Sequence, residues 1–155
     1  MFKIAICDEG QLEAEELSRY LSALAGEISL ECSVELFPNV RLFQKALQGT
    51  RFQLVFLETR IGGGDGGEFA RRLRVFDEEM AIVFCSSESG RALEAYSAFP
   101  SGYLVKPVSR KQLREIFRHV ADKARKKPGI LLRGEDGGEV RIGVDDILYI
   151  EVFGD

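Results

Sequence analysis

Acidic residues and a lysine follow short apolar segments of this chain. Asp8 and Glu9 come directly after an apolar run at the N-terminus. Glu58 ends the run 54–57, and Lys106 closes a later one. Carboxylates held together repel one another unless a cation lies between them, and oxygen ligands without histidine or thiolate suit Mg²⁺. With the lysine as an opposing positive charge, such a pocket is suited to phosphoryl transfer to a carboxylate.

Ser86 adds a hydroxyl at the end of another apolar run, where it could donate a hydrogen bond to an anionic oxygen. No residue of this set is specific alone, since Asp8 and Glu9 also suit a turn and Lys106 also suits a surface position. A shared site is favoured because each residue stands at the end of a predicted strand. The carboxyl ends of parallel strands meet in the crevice where open α/β sheets bind ligands.

The elements that must position these residues alternate between strand and helix. Short apolar runs bounded by turn signals predict strands at 2–7, 32–37, 53–57, 81–85 and 102–107. Each of them is followed by apolar residues at the three- and four-residue spacing of a helix. Because right-handed crossovers pack each helix against the sheet, residues 1–127 are predicted to form one doubly wound α/β domain with a five-stranded parallel sheet.

The pattern changes after residue 127 to short strands without helices between them. Segments 130–133, 140–142 and 147–151 are predicted to be antiparallel strands, and a glycine-rich turn joins the first two. Because so short a segment cannot fold alone, residues 128–155 are predicted to be a linker and the first strands of an incomplete β-rich domain.

The composition, 45% hydrophobic and 30% charged, is that of a soluble globular protein. The N-terminus predicts neither a signal peptide nor a membrane span, so we expect a cytoplasmic protein without a membrane partner. Cys7, Cys32 and Cys85 lack metal-ligand spacing and are predicted to be reduced thiols in or near the core. Residues 128–155 carry two basic residues against seven acidic ones, so DNA binding by this segment is not expected.

Charged residues on the predicted helices are expected to be solvated. Arg71, Arg72 and Arg74 are predicted to form an exposed face of the third helix. The basic run within 109–127 is predicted to be a solvated face of the fifth helix rather than a nucleic-acid site.

Residues 1–125 resemble the receiver domain of two-component response regulators. The resemblance rests on Asp8-Glu9, the carboxylate at 58, Gly66, Ser86, Tyr103 and Lys106-Pro107. It implies a flavodoxin-like sheet with strand order 2-1-3-4-5. Residues 92–96 and 144–151 further resemble LytTR-type (LytR/AlgR-like) transcriptional regulators, in which a receiver is joined to a β-rich DNA-binding domain.

The resemblance assigns roles to the acidic residues of the pocket. Asp8 and Glu9 become metal-binding acids, together with Glu58 and the main-chain carbonyl of Arg60. Glu58 takes the position of the phosphoacceptor. The implied cofactor is Mg²⁺, and we expect its binding to be weakened or absent because of Glu58.

The resemblance also implies a switch and its partners. Ser86 and Tyr103 become the switch pair, Lys106 becomes the phosphate-contacting lysine, and the Lys106–Pro107 peptide bond is expected to be cis. The implied partners are a second copy of the chain, bound through the fourth helix, fifth strand and fifth helix, and a sensor histidine kinase. DNA is expected to bind only through the missing C-terminal domain.

Two features depart from the family pattern. The family's phosphoacceptor is aspartate, and the extra methylene of Glu58 moves the carboxylate by more than about 1 Å, enough to cost about a hundredfold or more in rate when a nucleophile must be aligned. Phosphorylation of Glu58 is therefore not expected. Gly62 stands where LytTR-type receivers usually have a proline, so the glycine-rich segment 62–67 is expected to be a mobile turn bordering the pocket.

Three functions remain as alternatives. The first is a non-enzymatic, atypical receiver that serves as a constitutive dimerisation or regulatory module. The second is a constitutively active-like receiver in which Glu58 pairs with Lys106 as a partial phosphate mimic, with a charge smaller than the roughly −1.5 to −2 of a phosphoryl group. The third is a flavodoxin-like enzyme or small-ligand module, which would need a nucleophile or an aromatic-lined pocket that the sequence does not show.

Overall fold

The computed structural model describes residues 1–126, 129–133 and 137–143, and the chain divides into two compact units, Met1–Val120 and Ala121–Asp155. The elements, in chain order, are β1 (Phe2–Cys7), α1 (Gln11–Glu27), β2 (Cys32–Phe37), α2 (Val40–Leu47), β3 (Leu54–Leu57), β4 (Arg60–Ile61), β5 (Gly64–Asp65), α3 (Gly66–Phe76), β6 (Ala81–Ser86), α4 (Ala92–Ala95), β7 (Gly102–Val105), α5 (Arg110–Arg125), β8 (Gly129–Arg133) and β9 (Glu139–Gly143). Short 3-10 turns flank α4 at Ser89–Arg91 and Tyr96–Ala98.

The main sheet has five parallel strands in the order β2-β1-β3-β6-β7. Counting only these strands along the chain, the order is 2-1-3-4-5, so the predicted α/β fold is confirmed. All four residues of the central β3 are buried, as expected for a strand covered by helices on both faces. The carboxyl ends of β1, β3, β6 and β7 therefore lie side by side along one edge of the sheet.

An aromatic cluster packs α2 and α3 against one face of the sheet. The ring centroids of Phe37, Phe43, Phe52 and Phe69 lie 5.2 to 6.0 Å from their neighbours, mostly edge to face. Each such pair adds about 0.5–1.5 kcal/mol beyond the burial of its surface. The spacing of Phe69, Leu73 and Phe76 in the sequence predicts one apolar face of the third helix, but Phe76, the last residue of α3, is 68% exposed.

The glycine-rich segment predicted to be a mobile turn forms a small hairpin, β4–β5. Gly62 and Gly63 have φ angles of 61° and 71° and make a two-residue turn with positive φ at both central positions, which suits the twist of paired strands. Asp65 then caps α3, because its carboxylate accepts hydrogen bonds from the backbone N–H groups of Gly67 and Glu68. A Cβ atom at Gly66 would lie 2.2 Å from the carbonyl oxygen of Glu58, so this close approach requires glycine.

The second unit contains the antiparallel pair β8–β9, in register from Gly129↔Gly143 to Arg133↔Glu139. These strands correspond to the predicted segments 130–133 and 140–142, whereas the third predicted strand, 147–151, lies outside the described residues. The division into a receiver at 1–127 and an incomplete second domain at 128–155 stays a prediction. Within the described part of the chain, no helix has both the length and the apolar composition needed to cross a membrane.

Candidate functional site at the carboxyl edge of the sheet

Lys106, the residue after β7, places its ammonium group among three carboxylates. Its Nζ lies 2.7 Å from Asp8 Oδ2, 2.9 Å from Glu58 Oε2 and 2.9 Å from Glu13 Oε2. The side chains of Lys106, Asp8 and Glu58 are 16%, 11% and 13% exposed, whereas that of Glu13, in the first turn of α1, is 63% exposed. The pocket is therefore a largely buried group of three charges with a fourth at its solvent side.

Both carboxylate oxygens of Glu58 are engaged. Oε2 pairs with Lys106, and Oε1 accepts hydrogen bonds from the backbone N–H of Thr59 at 2.7 Å and from its hydroxyl at 3.1 Å. Burial acts to raise the pKa of Glu58, but hydrogen bonds from Lys106, Ser86 and Thr59 and the charge of Lys106 outweigh it and hold this pKa below its ordinary value. Glu58 is thus a fixed negative charge at neutral pH.

The same contacts shift the pKa of Lys106 in the opposite direction. Burial alone would lower the pKa of Lys106, but hydrogen bonds to Asp8, Glu13 and Glu58 raise it above its ordinary value. The ammonium group therefore stays protonated, and its positive charge is already matched by carboxylates of this chain.

The acids predicted to bind a metal do not converge on one point. Asp8 contacts Lys106 with one oxygen and the backbone N–H of Gly10, at 2.8 Å, with the other. Glu9 accepts a hydrogen bond from the backbone N–H of Gly62 in the β4–β5 turn. Among the described residues, no group of three or more histidine, cysteine or acidic side chains is placed to hold a metal ion. The oxygen donors suit Mg²⁺ in type, but their arrangement around Lys106 does not fit it.

Arg60 takes part in a surface ion-pair network through its side chain. Its Nε lies 3.0 Å from Glu88 Oε1, and the other oxygen of Glu88 lies 3.1 Å from Arg91 Nε. Arg91 also approaches Asp65 at 3.8 Å. The network connects the β4–β5 hairpin to the segment after β6, and the predicted metal contact through the Arg60 carbonyl stays a prediction.

The two predicted switch residues are connected through the backbone of Glu88. Ser86 Oγ accepts a hydrogen bond from the Glu88 N–H at 3.0 Å, and the Tyr103 hydroxyl donates to the Glu88 carbonyl. The Tyr103 ring is half-buried, with its centroid 6.0 Å from that of Phe84. Ser86 is 1% exposed and lies 2.6 Å, oxygen to oxygen, from the hydroxyl of Thr59. The peptide bond after Lys106 is cis.

Three residues of the site were not predicted from the sequence: Glu13, Thr59 and Glu88. The position of Glu13 could have identified it, because an acid in the first turn of the helix that follows Asp8 lies near the same edge of the sheet. The sequence offers a weaker indication for Thr59, whose hydroxyl directly follows the strand-end carboxylate of Glu58. Nothing in the sequence pointed to Glu88, because its partners Arg60, Ser86, Arg91 and Tyr103 come from four separate elements.

Comparisons with known sequences give a consistent result. The family model described as the response regulator receiver domain matches residues 4–118. The positive alginate biosynthesis regulatory protein of Pseudomonas aeruginosa is 32% identical over 115 residues, which are 74% of this chain and 45% of that protein. Sensory transduction protein LytT of Bacillus subtilis is 24% identical over 118 residues, which are 76% of this chain and 47% of that protein. The chain spans less than half the length of these relatives.

Solved structures agree on the fold. The response regulatory domain of protein mrkE from Klebsiella pneumoniae superposes with a TM-score of 0.72 at 20% identity, over 81% of this chain and 100% of that one. Response regulator TrrA from Thermotoga maritima, solved in complex with Mg(2+)-BeF, has a TM-score of 0.67 at 20% identity, over 77% of this chain and 99% of that one. At these identities the likeness shows the fold alone.

Proposed function

The chain belongs to the response regulator receiver domain family, and we propose that it is an atypical member in which Glu58 takes the place of the phosphoacceptor aspartate and is not phosphorylated. Receiver domains are signalling modules of two-component systems, generally not enzymes, and they typically bind Mg²⁺ at the phosphorylation site. In this proposal the domain is no longer controlled by phosphorylation and serves as a dimerisation or regulatory module of a transcriptional regulator.

The observation that carries the proposal is the ion pair between Glu58 and Lys106, 2.9 Å apart. A carboxylate nucleophile needs a free oxygen aimed at the incoming phosphorus, with cations left over to neutralise the phosphoryl oxygens. Here one oxygen of Glu58 is held by the lysine and the other by Thr59. The lysine is in turn occupied by Asp8 and Glu13, so little positive charge is left for an incoming anion.

The proposed dimer uses the surface of α4, β7 and α5. Apolar side chains are exposed in the segment that connects α4 to β7 and at the last residue of β7: Tyr96 is 74% exposed, Phe99 77% and Val105 40%. A second copy of the chain that covered them would remove this apolar surface from water. A sensor histidine kinase as a partner, and DNA binding through a C-terminal domain that begins within residues 128–155, remain part of the proposal.

Intact-mass measurement tests the loss of phosphorylation. Wild-type chain and the Glu58→Asp variant are incubated with Mg²⁺ and acetyl phosphate. We expect the variant to gain the mass of one phosphoryl group and the wild type to gain none, because shortening the side chain draws the carboxylate away from Lys106 and restores the aspartate of the family. Glu58→Asn is the control for phosphorylation elsewhere. A wild type that is modified as readily as the Glu58→Asp variant would overturn the proposal.

Phosphate mimicry is the second candidate, and the contacts of Glu58 favour it. The carboxylate contacts Lys106 directly, and it contacts Ser86 both directly and through the hydroxyl of Thr59. Lys106 and Ser86 are the two residues that the receiver family is expected to use in sensing a phosphoryl group. If Glu58 holds the active-like state, Glu58→Gln should weaken dimerisation, measured by sedimentation equilibrium, because the neutral amide pairs poorly with the lysine.

Equal dimer affinities of wild type and Glu58→Gln would remove the case for mimicry and leave the constitutive module. Tyr96→Ala is the matched control, since it should weaken the dimer in both cases by removing an exposed apolar side chain from the proposed interface. No effect of Tyr96→Ala would instead argue against this face as the interface.

A further inference from the structure

We propose that Thr59 is the positioning residue through which the charge of Glu58 fixes the backbone segment after β6, at Glu88. The inference rests on the proposed function, in which Glu58 is a permanent charge, and deepens it by naming how that charge reaches the switch pair. Thr59 is 2% exposed, and with Ser86 it is one of two buried polar residues in the described core.

The hydroxyl of Thr59 lies between two partners. Its Oγ1 is 3.1 Å from Glu58 Oε1 and 2.6 Å from Ser86 Oγ. The backbone N–H of Thr59 also donates to Glu58 Oε1 at 2.7 Å, so residue 59 holds that oxygen twice. These contacts fix the Glu58 carboxylate and the Thr59 side chain relative to each other.

The ionised carboxylate of Glu58 sets the direction of these hydrogen bonds. An ionised carboxylate can only accept, so the hydroxyl proton of Thr59 is donated to Glu58. Thr59 Oγ1 is then left as an acceptor for Ser86, whose single hydroxyl proton lies between Thr59 and the carboxylate of Glu58. Ser86 Oγ in turn accepts from the backbone N–H of Glu88 at 3.0 Å. Every donor in this series points towards the charge of Glu58, an arrangement in which each bond polarises the next.

The series ends beside the second switch residue. The carbonyl of Glu88 accepts a hydrogen bond from the hydroxyl of Tyr103, whose ring packs beside Phe84. The same residue binds Arg60 and Arg91 through its side chain. The position of Glu88 therefore determines where the Tyr103 hydroxyl is held, and Thr59 connects Glu58 to it beside the direct contact of Ser86 with Glu58.

A buried threonine could instead serve only to fill space, so the test must separate coupling from packing. Thr59→Val keeps the shape and removes the hydroxyl, whereas Thr59→Ser keeps the hydroxyl and removes a methyl group. Amide hydrogen exchange of Glu88, followed by NMR on the full 155-residue chain, reports on the N–H that bonds Ser86.

We expect Glu58→Gln to speed exchange at Glu88 about fivefold in the Thr59 and Thr59→Ser backgrounds, the order expected for weakening one net hydrogen bond. In the Thr59→Val background exchange should already be faster, and Glu58→Gln should speed it only about twofold or less, because just the direct contact between Ser86 and Glu58 remains. An equal effect of Glu58→Gln in all three backgrounds would overturn the inference. If Thr59→Val does not fold, Thr59→Ala replaces it, with thermal unfolding as the check on the fold.

The outcome is distinguishable from failure of the proposed function. Phosphorylation of wild-type Glu58 in the mass experiment, together with an effect that depends on Thr59, would reject the proposed function and keep the coupling. Absence of phosphorylation with an effect independent of Thr59 would keep the function and reject the coupling.

Discussion

Two partly buried cations of this domain, Lys106 and Arg74, are surrounded by different kinds of oxygen. Lys106 faces the carboxylates of Asp8, Glu13 and Glu58. Arg74, on α3, faces main-chain carbonyls of two loops: Asp77 at 3.3 Å, Glu78 at 2.7 Å, Met80 at 2.7 Å, Ala98 at 3.2 Å and Phe99 at 3.2 Å. One cation belongs to a set of titratable groups, and the other binds neutral dipoles.

The pKa values of the two groups move in opposite directions. Burial lowers the pKa of Arg74, and the charges of Asp77 and Glu78 offset this only in part. The carboxylates around Lys106 more than compensate for its burial and raise its pKa. Partial burial therefore does not identify a functional cation, whereas titratable partners at the strand ends do. We interpret Lys106 as part of the site and Arg74 as a structural connection between α3 and the segment that follows α4.

The prediction that the third-helix arginines form a solvated face is wrong for Arg74. Arg71 and Arg72 are exposed, and Arg71 donates a hydrogen bond to Ser97 at 3.1 Å. Arg74 is turned towards the loops because the last turn of α3 brings it over the start of β6 and the end of the 3-10 turn after α4. Its planar guanidinium can serve several carbonyls at once, which a lysine cannot.

Replacing Arg74 should have the largest effect on stability. Arg74→Ala leaves the carbonyls of two loops without their donor, and hydrogen bonds to a charged group contribute about 1.5–3 kcal/mol each before water replaces part of them. We expect a loss of about 3 kcal/mol in the free energy of unfolding, measured by urea denaturation. Arg74→Lys should recover less than half of it, whereas Arg71→Ala, the matched exposed control, should cost about 0.5 kcal/mol. Full recovery of stability by Arg74→Lys would show that the positive charge, and not the several N–H donors of the guanidinium group, stabilises the two loops.

Lys106→Met should have the next largest effect on stability, a loss of about 2 kcal/mol in the free energy of unfolding at neutral pH, because it leaves Asp8 and Glu58 facing each other without a cation.

The loss caused by Lys106→Met should depend on pH, unlike that caused by Arg74→Ala. Glu58 has a lowered pKa, so its stabilising contribution is present above its ordinary value of 4.5 and is lost as pH falls through the lower folded value. Lys106 has a raised pKa, so its contribution is present below 10.5 and is lost as pH rises through the higher folded value.

The difference in the free energy of unfolding between wild type and Lys106→Met should therefore be greatest between about pH 5 and pH 10 and should shrink below about pH 5. Urea denaturation at a series of pH values measures it. The loss caused by Arg74→Ala should stay constant between about pH 5 and pH 10, because its carbonyl partners do not titrate and the nearby carboxylate of Asp77, whose pKa is lowered, stays ionised over this range. Parallel pH profiles for the two variants would contradict the distinction between the two cations.

The sheet could be predicted from the sequence because its strands are short apolar runs, and the run 54–57 is buried at every residue. The glycine-rich segment was harder, since its structure depends on two positive φ angles at Gly62 and Gly63 rather than on an apolar pattern. The fourth helix was weakly patterned and has only four α-helical residues, Ala92–Ala95, between two 3-10 turns.

The residues of the site that stand at strand ends could be predicted from the sequence. Asp8, Glu58 and Lys106 stand at the ends of β1, β3 and β7, so the topology alone brings them together. Which atom pairs with which was not predictable, because it depends on side-chain reach. Glu9 points to the β4–β5 turn, and Glu13 reaches the lysine from a helix.

Glu13→Gln should have the smallest effect and determines how many acids Lys106 requires. Glu13 is as close to the ammonium group as Glu58, yet its side chain is 63% exposed, so water screens the pair. Such exposed pairs contribute about 0–1 kcal/mol, and we expect less than 0.5 kcal/mol by urea denaturation. Asp8→Asn is the matched control, and with 11% exposure at Asp8 it should cost more. A loss from Glu13→Gln equal to that from Asp8→Asn would extend the pocket to α1, because the charge of Lys106 would then be balanced by three acids and not by the two that the strands supply.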